Sequence, residues 1–400
     1  MDLKDWHNRL KEKALKALDR PSPYGVDIDI SQYLELGEVG SVSKGLLDTS
    51  KAEEVGVNLN ANALYIQVDQ SYFKYLSRIP GVEVYRIEDF IEQRPDEAME
   101  FAWRLVDPST DKFTALAYLR GRGGYFIRVK KGSKVDEPIM ACLYMSYKGL
   151  QAPHNIVVVE DGAEATVYTG CTIAPEVLGL HVGISEFFVG RKAKLRFVMV
   201  HSWNKVAHVR PRTVVSVDEE GEYISYYVNI SKVKTLQTYP KVYLSSNAKA
   251  FLASILLGLE DSDIDVGSAA YIEGDGASAE LVSRAIARDE SKIVMRAQIT
   301  GGRMGKGHID CRGLMMSNNS LIQTVPELIA KHPDVILTHE ASIGRLAEDE
   351  INYLISKGFS RDEAISALVR GFATIDISDL PEKVRNYIET IEKIVSEKAL

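Results

Sequence analysis

Polar turns recur through the middle of the 400-residue chain at nearly constant spacing. They fall near Gly132, Gly162, Arg191, Glu220, Asn247, Asp275, Glu290 and Asn319, at intervals of 30, 29, 29, 27, 28, 15 and 29 residues. Short β-rich runs lie between them. Several turns lead through small residues into a strand, as in Gly162-Ala163-Glu164-Ala165 and Gly276-Ala277-Ser278-Ala279. Such a period marks a repeat architecture. A coil of this length cannot bury its inner face alone, so coils must stack. Alternation such as Glu164-Ala165-Thr166-Val167-Tyr168 gives each strand one core face and one solvent face. A β-sandwich with Greek-key connections is the alternative, but the regular interval favours a parallel β-helix. The interval of 15 breaks the period, and a turn half a coil on is the account it admits.

Helical period appears only at the two ends. Leu3, Trp6, Leu10, Ala14 and Leu18 form one stripe, stopped by Pro21-Ser22-Pro23. Residues 26–120 read as mixed: a strand at Leu64–Val68, with short helices at Tyr72–Leu76, Ile87–Ile91 and Asp96–Leu105. After Gly344 the stripe Leu346, Ile351, Leu354 and Ile355 ends at Gly358. Ser360-Arg361-Asp362-Glu363 is a capping box for the next helix, and a third helix is expected over Pro381–Lys398. These helices either plug the open end of the solenoid, covering its strand edges, or present a docking face. The reading is therefore mostly β: a mixed α/β region over 1–120, a β-helix core over 121–343 and a helical region over 344–400.

Composition narrows the function classes. The net charge of −8 argues against a general nucleic-acid binder. No apolar run approaches the roughly 20 residues that span a bilayer, and the charged N-terminus is unlike a secretory leader. A cytoplasmic protein is expected. Cys142, Cys171 and Cys311 are too few and too far apart for a disulfide framework. No CxxC pair and no GxxxxGK[ST] loop occurs, so a metal centre must gather ligands across the fold, and ATP hydrolysis would belong to a partner.

The densest chemistry lies in His308–Gly344. Cys311, His339 and Glu340 supply thiol, imidazole and carboxylate, the groups that hold iron. In a strand, Asp310 and Arg312 point away from the Cys311 face, and His339 and Glu340 point to opposite faces. Lys130, Lys131 and Arg122 read as a solvated strand face.

Several segments together resemble the SufB/SufD family, scaffold subunits of the SUF iron–sulfur cluster assembly system. Gly123-Gly124-Tyr125-Phe126-Ile127 with Val129-Lys130-Lys131-Gly132 resembles a family strand pair. Val159-Glu160-Asp161-Gly162-Ala163, Gly170-Cys171-Thr172-Ile173-Ala174-Pro175 and Thr338-His339-Glu340-Ala341 resemble further family segments, and Ala347–Phe372 resembles its terminal helices. The resemblance implies a right-handed parallel β-helix, pairing with a second SufB/SufD-type subunit, and docking of a SufC-type ABC ATPase. Sulfur comes from a donor protein or sulfide, and the product goes to cluster-accepting proteins. The cluster is an iron–sulfur cluster, with 4Fe-4S among the types admitted, and a reduced flavin can serve the complex.

Cys171, Cys311 and Glu340 match SufB rather than SufD, which generally lacks those thiols. The chain departs from SufB in being shorter, in lacking an N-terminal Cys-rich motif and in carrying Thr338 where SufB often has Glu. A compact SufB-like homodimer fits these residues, with a SufD-like structural subunit as the alternative and no catalytic turnover of its own. The resemblance makes Cys311 the cluster or persulfide site, His339 and Glu340 its partners as metal ligands, and Cys171 the sulfur acceptor. By position, His201 and Trp203 are candidates for a sulfur path between the thiols. Leu346, Ile351, Tyr353, Leu354, Phe359, Ile365, Leu368 and Phe372 are expected to dock the ATPase. His181 reads equally well as a core histidine, and Cys142 reads as core. A secreted carbohydrate enzyme on a β-helix is set aside, because no acidic pair is evident.

Overall fold

The repeated turns stack, and the strands between them form two sheets of one parallel β-solenoid of about eight turns. The computed structural model describes residues 2–35 and 47–375, with a few positions between 382 and 397. The first sheet has one strand per coil, starting with Ile139–Met145, Glu164–Ile173 and Lys194–Ser202. It continues through Glu222–Asn229, Lys249–Gly258, Ala277–Ala287 and Gly305–Met315 to Val335–Gly344.

In the second sheet each early coil contributes two short strands separated by a break. Pro153, Pro211 and Pro240 lie at such breaks, where the ring removes a ladder donor. Later the halves fuse. Asp263–Ile272 pairs with both Thr235–Thr238 and Lys241–Leu244, and it is followed by Lys292–Gly301 and Leu321–Ala330. Gly267 sits at the fusion point, where an added Cβ would lie 2.4 Å from the Arg296 carbonyl oxygen. Pro326 is accepted in the last strand because one side of that strand has no ladder partner among the described residues.

The turns explain the odd interval. Gly132, Gly162, Lys192, Glu220, Asn247 and Gly276 all have left-handed backbone and form one corner. Gly162 N–H donates to the Arg191 carbonyl at 2.8 Å, and Asn247 N–H to that of Asp275 at 2.9 Å. Glu260 and Asp289 are the left-handed residues of a second corner, half a coil away. Glu290 N–H donates to the Glu260 carbonyl at 3.0 Å. Glu290 and Asn319 belong to this second stack, so the 15-residue step is a half-coil.

The lumen between the sheets is the main core. It takes Ala165, Val167, Leu195, Phe197, Leu252, Leu281 and Ile309 from the first sheet and Val157, Phe187, Val215, Ile264 and Ile293 from the second. The outer face of the first sheet carries a second core, in which Val282, Ile286 and Leu314 meet Val369 and Ala373. Those last two lie on the helix Arg361–Ala373, which starts from the expected Ser360/Glu363 capping box.

Several expectations are corrected. Tyr72–Leu76 is not a helix; Ser71–Ser77 is a strand antiparallel to Ala63–Val68, turned by Asp69 in left-handed conformation. Five residues are too few to separate helical from strand period. The helix Lys112–Arg120, capped by Asp111, has no counterpart among the expected elements. The described C-terminal helices flank the outer face of the first sheet and leave the lumen-facing His339 and Ala341 of the terminal strand exposed. The helix expected over Pro381–Lys398 falls largely outside the described residues.

Candidate functional site

Cys311 lies on Gly305–Met315 with its side chain in the lumen, fully buried. Alternation fixes this, because Ile309 on the same face is also core, while Asp310 and Arg312 face outward as expected. Asp310 Oδ2 accepts from Arg284 Nη2 at 2.7 Å and Oδ1 from Arg312 Nε at 3.1 Å. Burial pushes the Cys311 thiol up, and hydroxyls of Thr324 and Ser283 beside it pull the other way. Thr324 comes from the second sheet, so the thiol is held between both walls.

Among the described residues one strand of the first sheet follows. Val335–Gly344 pairs in unbroken register, Ile309 with His339, Asp310 with Glu340 and Cys311 with Ala341. With no bulge, His339 shares the lumenal face with Cys311, one coil on and two residues offset. Glu340 lies on the outer face opposite Asp310. Both are exposed, because among the described residues no coil covers this last one. The mixed pair therefore divides: His339 is placed with Cys311 and Glu340 is not.

Cys171 is also lumenal and fully buried, with Sγ 3.5 Å from Met199 Sδ. Burial raises its thiol well above the usual range. Its register partner is His201. His201 and Trp203 rings lie 5.2 Å apart edge to face, and the Tyr227 hydroxyl is 2.8 Å from His201 Nδ1. Burial and the neighbouring His181 hold His201 neutral. His181 is satisfied through Nδ1 by Gln151 at 2.9 Å, and burial lowers it to about 3. Cys142 faces the outer core, pushed up to about 12 by burial.

Register joins the two lumenal thiols. The column Thr169, Met199, Tyr227, Ser254, Ser283, Cys311 runs straight up the first sheet, one residue per coil. Cys171 and His201 stand in the next column, which continues through Asn229, Leu256 and Ala285 to Gly313. Five coil steps therefore separate the thiols, about 24 Å at roughly 4.8 Å per step. Ser254 Oγ and Ser283 Oγ are 3.1 Å apart. Tyr227, Ser254, Ser283 and Thr324 were missed from sequence. The signal was available: stepping back from Cys311 by 28, 29, 27 and 28 residues lands on Ser283, Ser254, Tyr227 and Met199.

The C-terminal set divides as well. Ile351 is 3% exposed, and Leu346, Ile365 and Phe372 pack against the outer core. Leu354 and Leu368 are half-buried. Tyr353 is 61% and Phe359 42% exposed. Lys130 is paired with Glu83 at 2.9 Å, as a strand-face lysine. Among the described residues no group of three or more His, Cys, Asp or Glu is gathered as a metal site within one chain. No described helix is long and apolar enough to cross a membrane.

Residues 143–372 match the family described as SUF system FeS cluster assembly, SufBD core domain. An "Iron-sulfur cluster assembly SufBD family protein" of Archaeoglobus fulgidus is 44% identical over 363 residues, covering 90% of this chain and 96% of that one. A relative of that family in Methanothermobacter thermautotrophicus is 38% identical over 390 residues, 93% of this chain and 95% of its own. One in Pyrococcus horikoshii is 28% identical over 397 residues.

Proposed function

The chain belongs to the SufBD family of iron–sulfur cluster assembly proteins, and on that premise we propose that it is the cluster-bearing, SufB-like scaffold. The observation that carries this reading is the lumenal column of polar and sulfur side chains that runs to Cys311, one coil below the uncovered terminal strand.

Cys171 receives sulfur. Its thiolate attacks the outer sulfur of a donor persulfide, a new S–S bond forms, and the donor leaves as a thiolate. Releasing that sulfur as hydrosulfide takes two electrons, which the lumen's own side chains do not carry. An external reductant, a thiol or a reduced flavin, supplies them. The polar and polarisable side chains of Met199, Tyr227, Ser254 and Ser283 give sulfur a route through an otherwise apolar core. Cys311 then holds the nascent cluster, with His339 as the non-thiolate ligand of the same face. A thiolate with few companions binds a cluster that can be handed on.

The terminal strands Leu321–Ala330 and Val335–Gly344 form an exposed edge of the kind that pairs. A second copy seated there covers Cys311 and brings its own ligands, Glu340 becoming available only from outside the lumen. A SufC-type ABC ATPase docks on the exposed Tyr353 and Phe359 of the C-terminal helices and opens that interface. The assembly works in the cytoplasm.

Anaerobic reconstitution with iron and sulfide, read by iron content and Mössbauer spectra, tests this reading. The expected result is a stoichiometric cluster in the wild type and none in Cys311→Ser. A wild type that holds no cluster, alone or with the ATPase, overturns it in favour of a SufD-like structural subunit.

A further inference from the structure

Hydroxyl groups from both walls of the lumen meet at Cys311, and they are arranged for a charge that a neutral thiol lacks. From the first sheet comes Ser283, the register partner of Cys311 one coil back. Ser254, one coil further back, donates its O–H to Ser283 Oγ at 3.1 Å. A serine oxygen that accepts a hydrogen bond still has its own proton to give. Among the described residues no carbonyl or carboxylate takes that proton, and the Cys311 sulfur stands next in line.

From the second sheet comes Thr324, on the terminal strand Leu321–Ala330. Its Oγ1 lies beside the sulfur, buried, with no completed hydrogen bond among the described residues. Its register mates one and two coils back are Met295 and Val266, both in the apolar core. The hydroxyl thus enters this column where the column faces Cys311.

Buried polar atoms in folded proteins are nearly always paired. A thiol is a weak acceptor and leaves Thr324 with little. A thiolate, free or bound to iron, is a charged one. Donors fixed in place before a charge arrives stabilise it without reorganisation. One donor from each wall also holds the sulfur in position. Cys142, equally buried, is acted on by burial alone.

We infer that Thr324 and Ser283 are positioning residues, an O–H cradle that donates from both walls to the Cys311 thiolate and tunes the iron it binds. The inference deepens the reading of Cys311 as the cluster thiolate, and it adds the two donors and their electronic effect. Hydrogen bonds to a metal-bound sulfur set reduction potential and metal retention.

The test uses the full chain under anaerobic conditions, first with cobalt(II), a probe that needs no cluster, then with a cluster reconstituted from iron and sulfide. Cobalt(II) on a thiolate gives a sulfur-to-metal charge-transfer band, expected in the wild type and absent in Cys311→Ser. Losing a donor raises the energy of the sulfur lone pairs. Thr324→Val, which keeps the side-chain shape, should therefore move the band to longer wavelength, and Ser283→Ala should move it the same way. Thr324→Ser restores the hydroxyl and should return the band. In the reconstituted protein Thr324→Val should lower the cluster's reduction potential and speed iron loss to a chelator roughly 10-fold. A band unmoved in Thr324→Val, or moved equally in Thr324→Ser, overturns the cradle even where clusters assemble as before. So does a wild-type cobalt spectrum that does not depend on Cys311. If the wild type holds no cluster while the cobalt band follows the Thr324 hydroxyl, the scaffold reading falls and the cradle stands.

Discussion

Cys171 and Cys311 face the same lumen from the same sheet, yet they live in different surroundings. Cys171 has coils above and below it and the neutral His201 as its register neighbour. Cys311 has a hydroxyl from each sheet beside it and, among the described residues, a single exposed strand above it. Side-chain direction is identical, so the difference comes from position along the stack. An interior coil shelters its thiol from solvent, and the terminal coil leaves its face open. On the proposed reading, fetching and building are separated along one axis, about 24 Å apart by coil count.

The sharpest way to break this comparison is at the open end. His339 shares the Cys311 face and Glu340 does not, so His339→Ala should speed iron loss from the reconstituted protein by roughly 10- to 100-fold. Glu340→Ala in the isolated chain should stay within about twofold, as surface changes do. Equal losses, timed by chelator capture, would erase the distinction between faces.

The sheltered end should reveal itself in acid. His181 and His201 are held neutral by burial, below the ordinary 6.5. Between that value and their depressed folded values the unfolded chain binds protons that the native chain does not. Stability therefore falls as pH drops, by about 1.4 kcal/mol per pH unit for His181, near 2 kcal/mol at pH 5, with His201 acting in the same direction. Denaturant melts of His181→Gln should show a shallower loss between pH 6.5 and 5 than the wild type.

Thiol chemistry gives the smallest contrast. Both thiols are raised, Cys171 further than Cys311. Iodoacetamide should modify Cys311 about tenfold faster than Cys171, since only the thiolate reacts. Both rates should climb with pH towards and beyond 9. Peptide mass spectrometry gives the order directly, and faster modification of Cys171 would contradict its shelter in the interior coils.

The solenoid was legible because its period is written in turn chemistry: left-handed positions at Gly132, Gly162 and Asn247 recur whatever the strands contain. The second corner hid behind the same residue types, which is why Glu290 appeared out of step. Cys171, Cys311 and His339 were visible as residue types. Their relation was not, because which residues align depends on coil lengths that vary between 27 and 30. Ser254 and Ser283 look like any strand serines until those lengths are subtracted. The placement of Glu340 was half legible: strand alternation separated it from His339, and only the unbroken register showed that no bulge rejoins them.

The most direct test follows labelled sulfur from one thiol to the other. The full chain is loaded anaerobically with isotopically labelled persulfide, iron and a reductant are added, and label is followed over time on the Cys171 peptide and as acid-labile sulfide bound with iron. Label should appear first on Cys171 and later as bound acid-labile sulfide that Cys311→Ser does not hold, and a Ser254→Leu, Ser283→Leu double variant should slow that second step. Labelled bound sulfide forming in Cys171→Ser at the wild-type rate would contradict the account, because sulfur would then reach the open end without the sheltered one.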